Sequence, residues 1–165
     1  MLFKNKDHEL NYNSLLQLMK KTSSKQKAIA YLLALDPKCF EHCRELYDFH
    51  EDNIIVRGLE KAWQTLVSRR TTRLAFNLYN GYFSDGETYI GSDGFEEMLP
   101  SRYYTPYSFF ACEDAPYYVE ALKIRYPKWF PVNTAMMYTS EGWDEVELPP
   151  FLDLDEVCRK EEEEE

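Results

Sequence analysis

Apolar residues recur at three- and four-residue spacing through the first eighty positions, which predicts a succession of short helices. Tyr12, Leu15, Leu16 and Met19 share one face of a first helix that Asp7 is placed to cap. Ser23, followed three residues on by Gln26, has the form of a capping box. It opens Ala28 to Leu35, a stretch apolar on nearly every side and therefore expected at the centre of the domain. Asp36-Pro37 joins an N-cap to a proline at the first helical position, restarting a helix that runs to about Tyr47 or Phe49. A fourth helix is expected from Asp52 or Asn53, with Ile55, Leu59, Trp63 and Leu66 or Val67 on one stripe, weakened slightly by Gly58. Thr71 or Thr72 is positioned to cap a fifth, with Leu74, Ala75 and Leu78 inward and Gly81 as a left-handed stop.

Beyond Gly81 the pattern changes. Tyr82 to Ile90 reads as a hairpin turning at Asp85-Gly86. A loop follows over Gly91 to Gly94, then a short helix over Phe95 to Leu99 and a single turn from Pro106 to Phe110. Asp114-Ala115-Pro116 opens a clearer helix that reaches about Arg125 and is stopped by Pro127. Ala135 to Tyr138 is expected as a short strand, and Pro149-Pro150 as the end of order. The fold class is mainly α: a compact multi-helix domain with a small β-hairpin and an extended acidic C-terminal tail. Its parts are a helical domain over 1–130 with a Tyr-rich second half, an extended segment over 131–152, and an acidic tail over 153–165.

The charge changes how that tail is read. The net charge of −10 resides almost wholly in residues 141–165, where 12 acids face only Arg159 and Lys160. The other 140 residues carry 17 acids and 17 bases, so whole-surface imitation of nucleic acid is excluded unless one face is segregated. Glu161 to Glu165 is either a solubilising tail, an arm for a basic groove on a partner, or a segment folding back onto Lys20, Lys21, Lys25 or the Arg69, Arg70, Arg73 cluster. No apolar run reaches membrane-span length, and Met1 to Lys6 lacks a signal-peptide core, so no membrane partner and a cytoplasmic location are expected. Four irregularly spaced cysteines fit reduced thiols.

Candidate chemistry is sparse. Cys39, His42, Cys43 and His50 could be a metal or nucleophile cluster, but they lie on one helix and its end, and a second ligand pair is missing. The competing reading makes them core and edge residues. G-x-S-x-G, H-E-x-x-H and phosphate-binding glycine loops do not occur. Neither an enzymatic activity nor a cofactor is therefore expected. Arg69, Arg70 and Arg73 could touch phosphates, yet a balanced body lacks a nucleic-acid footprint; direct binding is not expected, and local carboxylate pairing at a helix end is.

Ten of the 13 tyrosines fall between Tyr79 and Tyr138. Tyr suits both a secondary core and an interface, and both readings stay open. Leu74 to Gly81, Tyr107 to Phe110 and Ala115 to Pro127 resemble a small uncharacterised family of Gram-positive anaerobes, their phages and mobile elements, over about residues 3–128. The resemblance implies a mobile-element context and transfers no catalytic residue. The expected function is a non-enzymatic protein-binding module, an anti-CRISPR-like inhibitor of a host nucleic-acid-handling complex. Tyr103, Tyr104, Tyr107, Tyr117, Tyr118 and Trp143 would serve as anchors. Glu141, Asp144, Glu145 and Glu147 would meet a basic surface on the partner. The alternatives are a small hydrolase or metal-dependent enzyme using the Cys39–His50 cluster, and a homo-oligomeric structural protein.

Overall fold

A computed structural model describes residues 1–130 and the backbone of two later strands, 134–139 and 142–147. The chain divides into two compact units, Met1–Pro127 and Lys128–Glu165. The first is mainly α, with seven helices among the described residues.

Helix α2 (Ser24–Leu35) lies at its centre, and every residue from Ala28 to Leu35 is buried, as its all-round apolarity predicts. Three helices cover it: α1 (Lys6–Leu18), α5 (Leu66–Asn80) and α7 (Ala115–Arg125). Side chains far apart in sequence tie this cover down. His8 Nδ1 accepts from the Lys4 amide, so Nε2 donates to the Tyr31 carbonyl at 3.0 Å. The Tyr31 hydroxyl donates to the Leu2 carbonyl, Lys4 pairs with Asp114 at 2.8 Å, and the Leu2 amide donates to Glu120. Arg125 Nε donates to the Leu78 carbonyl at 2.6 Å, satisfying an acceptor at the end of α5.

Helix starts differ from expectation wherever a nearer acceptor wins. Asn5, not Asp7, caps α1, accepting from the His8 amide. The Ser23 hydroxyl bonds the Gln26 side chain directly, so the reciprocal backbone bonds of a capping box do not form. Gln26 then turns its amide to Asp52 at 2.9 Å. Asp52 also accepts from the Tyr47 hydroxyl, and its carbonyl accepts from Tyr79. Burial opposes ionisation of Asp52, but the bonds from Tyr47 and Gln26 outweigh it and hold its carboxyl below the usual range. Held by this half-buried polar cluster, Asp52 sits at φ 56°, an uncommon conformation for a residue other than glycine.

The largest departure is over residues 42–67. Asp36 caps α3 (Pro37–Glu41) as expected, but the helix breaks at His42 and resumes as α4 (Cys43–Leu46). Strands β1 (Tyr47–Asp48) and β2 (Asn53–Ile54) and a 3-10 turn (Val56–Glu60) replace the expected fourth helix. Gly58 explains the shape: a Cβ there would meet Leu46 Cδ2 at 2.5 Å and the Glu45 carbonyl at 2.7 Å, so only glycine lets the turn press this closely onto α4. Thr65 caps α5 by accepting from the Ser68 amide, nearly two turns before the expected cap at Thr71 or Thr72. Thr71 and Thr72 are therefore interior and buried, and Arg69, Arg70 and Arg73 close no helix. Gly81 does end α5 in the left-handed region, at φ 82°.

The hairpin also lies later than expected. Strand β3 (Thr88–Ile90) pairs antiparallel with β4 (Glu96–Met98), so Phe95 to Leu99 is not helical. The turn spans Gly91 to Gly94, with the Gly91 amide donating to the Phe95 carbonyl. The chain still bends at Asp85-Gly86, with Gly86 at φ 95°, but the strands do not pair across that bend, and Arg73 and Ser101 hold the Asp85 carboxylate. Helices α6 (Pro106–Phe110) and α7 form where their prolines predict. In the second unit, β5 (Thr134–Thr139) contains the expected Ala135–Tyr138 strand and pairs with β6 (Gly142–Glu147). The acidic tail over 153–165 lies outside the described residues, and no helix among them is long and apolar enough to cross a membrane.

Candidate interaction surface

Helix α5 divides its residues between two duties. Its inner stripe, including Leu74, Ala75, Phe76 and Leu78, is buried against α2 and its neighbours. Its outer side carries Leu66, Arg70 and Arg73 at helical spacing, and Leu66 is 86% exposed. Thr105 caps α6 by accepting from the Ser108 amide, and that short helix holds Tyr107 82% exposed. Between these elements runs a groove of about 290 Å³, walled by Leu66, Tyr107 and Ala111 with Arg70, Arg73 and Tyr103 beside them.

The groove is stiffened on its Arg73 side. Arg73 grips Asp85 with both prongs, Nε to Oδ1 at 2.7 Å and the terminal nitrogen to Oδ2 at 2.9 Å. Burial opposes ionisation of Asp85, but the bonds from Arg73 and Ser101 outweigh it and hold the carboxyl below its usual range. The same guanidinium stacks on Tyr103, 4.4 Å from the ring centre, and Arg102 lies 5.0 Å from that ring. Arg70 has no ion-pair partner among the described residues.

The expected tyrosine anchors separate into three environments. Tyr103 and Tyr107 stand at the groove. Tyr104 is half-buried, its hydroxyl donating to the Ser84 carbonyl at 3.2 Å, and burial pushes its pKa upward. Tyr117 is half-buried, 6.3 Å from the His8 ring. Tyr118 is corrected outright: it is wholly buried, shares a 2.8 Å bond with Thr71, and belongs to the core. Glu141 lies outside the described residues. Trp143, Asp144, Glu145 and Glu147 lie on β6, opposite Tyr138, Met137, Met136 and Thr134 in the backbone register; their side chains are outside the description.

A second surface was missed in the sequence. Every residue of β3 and β4 is exposed, including Tyr89 and Met98, with Ile90 at 69% and Phe95 at 72%. Between Tyr82 and Ser101 the acids are Asp85, Glu87, Asp93, Glu96 and Glu97, with no Lys or Arg. The hairpin is braced by its own acids: Thr88 donates to Glu96 at 2.6 Å, and Tyr89 to Glu97 at 2.5 Å. The available signal was this sign bias together with apolar residues that fit no buried period.

The Cys39–His50 cluster does not converge. Cys39 is sealed between α3 and α5, 3.5 Å from the Ser68 carbonyl and Thr72 Oγ1, and burial raises its thiol pKa well above the ordinary value. Burial raises Cys43 likewise. His42 instead stacks on Trp63 at 4.3 Å and pairs with Glu45 at 2.7 Å. His50 is exposed beside Glu51. Among the described residues no three of His, Cys, Asp and Glu lie together as a metal-holding group.

A family model matches residues 1–137. The chain belongs to DUF6075, a family of unknown function. The expected resemblance to an uncharacterised family thus holds at that level. The DUF6075 match contains both the groove and the hairpin, and stops within β5. No curated protein and no solved structure matches the chain.

Proposed function

We propose that this DUF6075 chain is a non-enzymatic protein-binding module, with the β3–β4 hairpin as its docking element. The partner presents an apolar cleft rimmed by Lys and Arg. The observation that carries this reading is the exposure of Ile90 and Phe95 on a hairpin that bears only acids. Two short strands alone bury too little to be stable, so Ile90 and Phe95, left in water on this hairpin, are available to a partner. Like charges around an apolar centre steer the encounter and reject acidic surfaces.

In its narrower form the partner is a host nucleic-acid-handling defence complex, inhibited as an anti-CRISPR protein inhibits its target, and the chain is mobile-element cargo. A channel that holds nucleic acid is lined with cations, which is the charge the hairpin and the acidic segment 141–165 seek. A reducing cytoplasm suits the unpaired thiols of Cys39, Cys43 and Cys112.

The test places a photo-crosslinking phenylalanine analogue at Phe95 and irradiates the full chain in extract of its source cell. One main protein should be labelled, at peptides bordered by Lys and Arg, and added salt should suppress the labelling. Labelling that is indiscriminate, or confined to other copies of this chain, overturns the reading.

A further inference from the structure

The two exposed surfaces of the first unit are complementary. One is an apolar knob ringed by carboxylates: Phe95 at the hairpin tip, flanked by Asp93, Glu96 and Glu97. The other is an apolar groove with cations at its rim, between α5 and α6. We infer that a second copy of this chain seats its Phe95 in that groove. The inference rests on reading the hairpin as a docking element and names a further occupant for it.

Size and charge both support the fit. A cavity of about 150 Å³ accepts benzene, and this groove is about 290 Å³, so a phenyl ring enters with room for its flanks. Leu66, Tyr107 and Ala111 supply apolar walls, and the exposed Leu66 and Tyr107 side chains lose water on contact. Arg73 is committed to Asp85, whereas Arg70 has no ion-pair partner among the described residues and presents a free fork. Carboxylates beside Phe95 bring the acceptors that fork takes. Glu96 and Glu97 each use one oxygen on Thr88 or Tyr89, leaving the other open. The occupant comes from another copy, because Phe95 stands exposed on its own chain.

Knob and groove are different patches, so the contact is head-to-tail. Each added copy leaves one free hairpin and one free groove, and growth continues unless the rotation closes a ring. The contact is small and charge-assisted, so it is weak and salt-sensitive. Association hides the hairpin, so self-assembly competes with the partner proposed above.

Sedimentation velocity on the purified full chain tests this up to about 0.5 mM, a range suited to small interfaces. At low salt the average mass should climb past that of a dimer, and salt should reverse it. Phe95→Ala and Arg70→Glu should each stay monomeric, with unchanged thermal unfolding. An equimolar mixture of the two should form a heterodimer and stop there, since one supplies the knob and the other the groove. A wild-type chain that remains monomeric, variants that associate like wild type, or a mixture that does not pair overturns the inference. The hairpin reading is judged separately, by labelling of a foreign protein from position 95.

Discussion

In α2 every residue from Ala28 to Leu35 is buried, and in the paired strands β3 and β4 none is. Both segments are rich in apolar side chains, yet they use them differently. Around α2 the apolar surface is consumed by folding, and polar groups that enter, such as His8, Gln26 and Thr71, find partners there. The hairpin instead leaves Ile90 and Phe95 in water and is attached through its base, where Arg73 and Ser101 hold Asp85. Hydrophobicity alone therefore does not locate a core. What separates the two regions is whether a helix or sheet face meets another.

Four experiments bear on that contrast. Phe76→Ala, inside the core, should cost about 3–5 kcal/mol, read from urea unfolding, because a wholly buried ring leaves a cavity. A cost similar to that of an exposed residue would erase the distinction. Arg73→Ala should cost about 1–3 kcal/mol, the scale of hydrogen bonds to charged groups. Amide exchange should accelerate over Tyr82 to Ser101, with little change in α2; unaltered exchange there would mean the hairpin is anchored elsewhere.

Acidification should weaken the core through His8. Burial lowers the folded-state pKa of its imidazole, so the unfolded chain takes up the proton first as pH falls. The stability contributed by neutral His8 is present above the ordinary His value and lost below it. Urea midpoints should therefore fall between about pH 7.5 and 5.5, and His8→Asn should flatten that slope. An identical slope in the variant would clear His8 of the effect. The smallest change is expected from Phe95→Ala, within about 0.5 kcal/mol in unfolding, since its ring already faces water. A larger loss would make the ring part of the fold.

Local signals proved legible where the chain resolves them locally. The all-round apolarity of α2, the prolines opening α3, α6 and α7, and Gly81 after α5 each act within a turn or two. The region 42–67 was not legible, because the deciding contact is between Gly58 and α4 and the cap is Thr65. Asp85-Gly86 reads as the hairpin turn and does bend, but the strands pair farther on, across Gly91 to Gly94, a register set by pairing that no local signal reveals. The candidate surface was half-visible. Its tyrosines and arginines stand out in the sequence, but only tertiary packing brings Arg73 over Tyr103 and sends Tyr118 inward to Thr71.

The place of α2 at the centre has a consequence for how the protein is made. The helix is complete at Leu35, but α7, part of its cover, ends only at Arg125. Those about ninety residues take roughly 5–18 s to synthesise at ordinary translation speeds. Through that interval the most apolar helix lacks one wall, and Lys4 and Leu2 lack Asp114 and Glu120. The first unit therefore closes late, when α7 leaves the ribosome, and its N-terminal turn is among the last parts to lock. A nascent chain stalled before Ala115 should thus be a substrate for chaperones that hold exposed apolar helices.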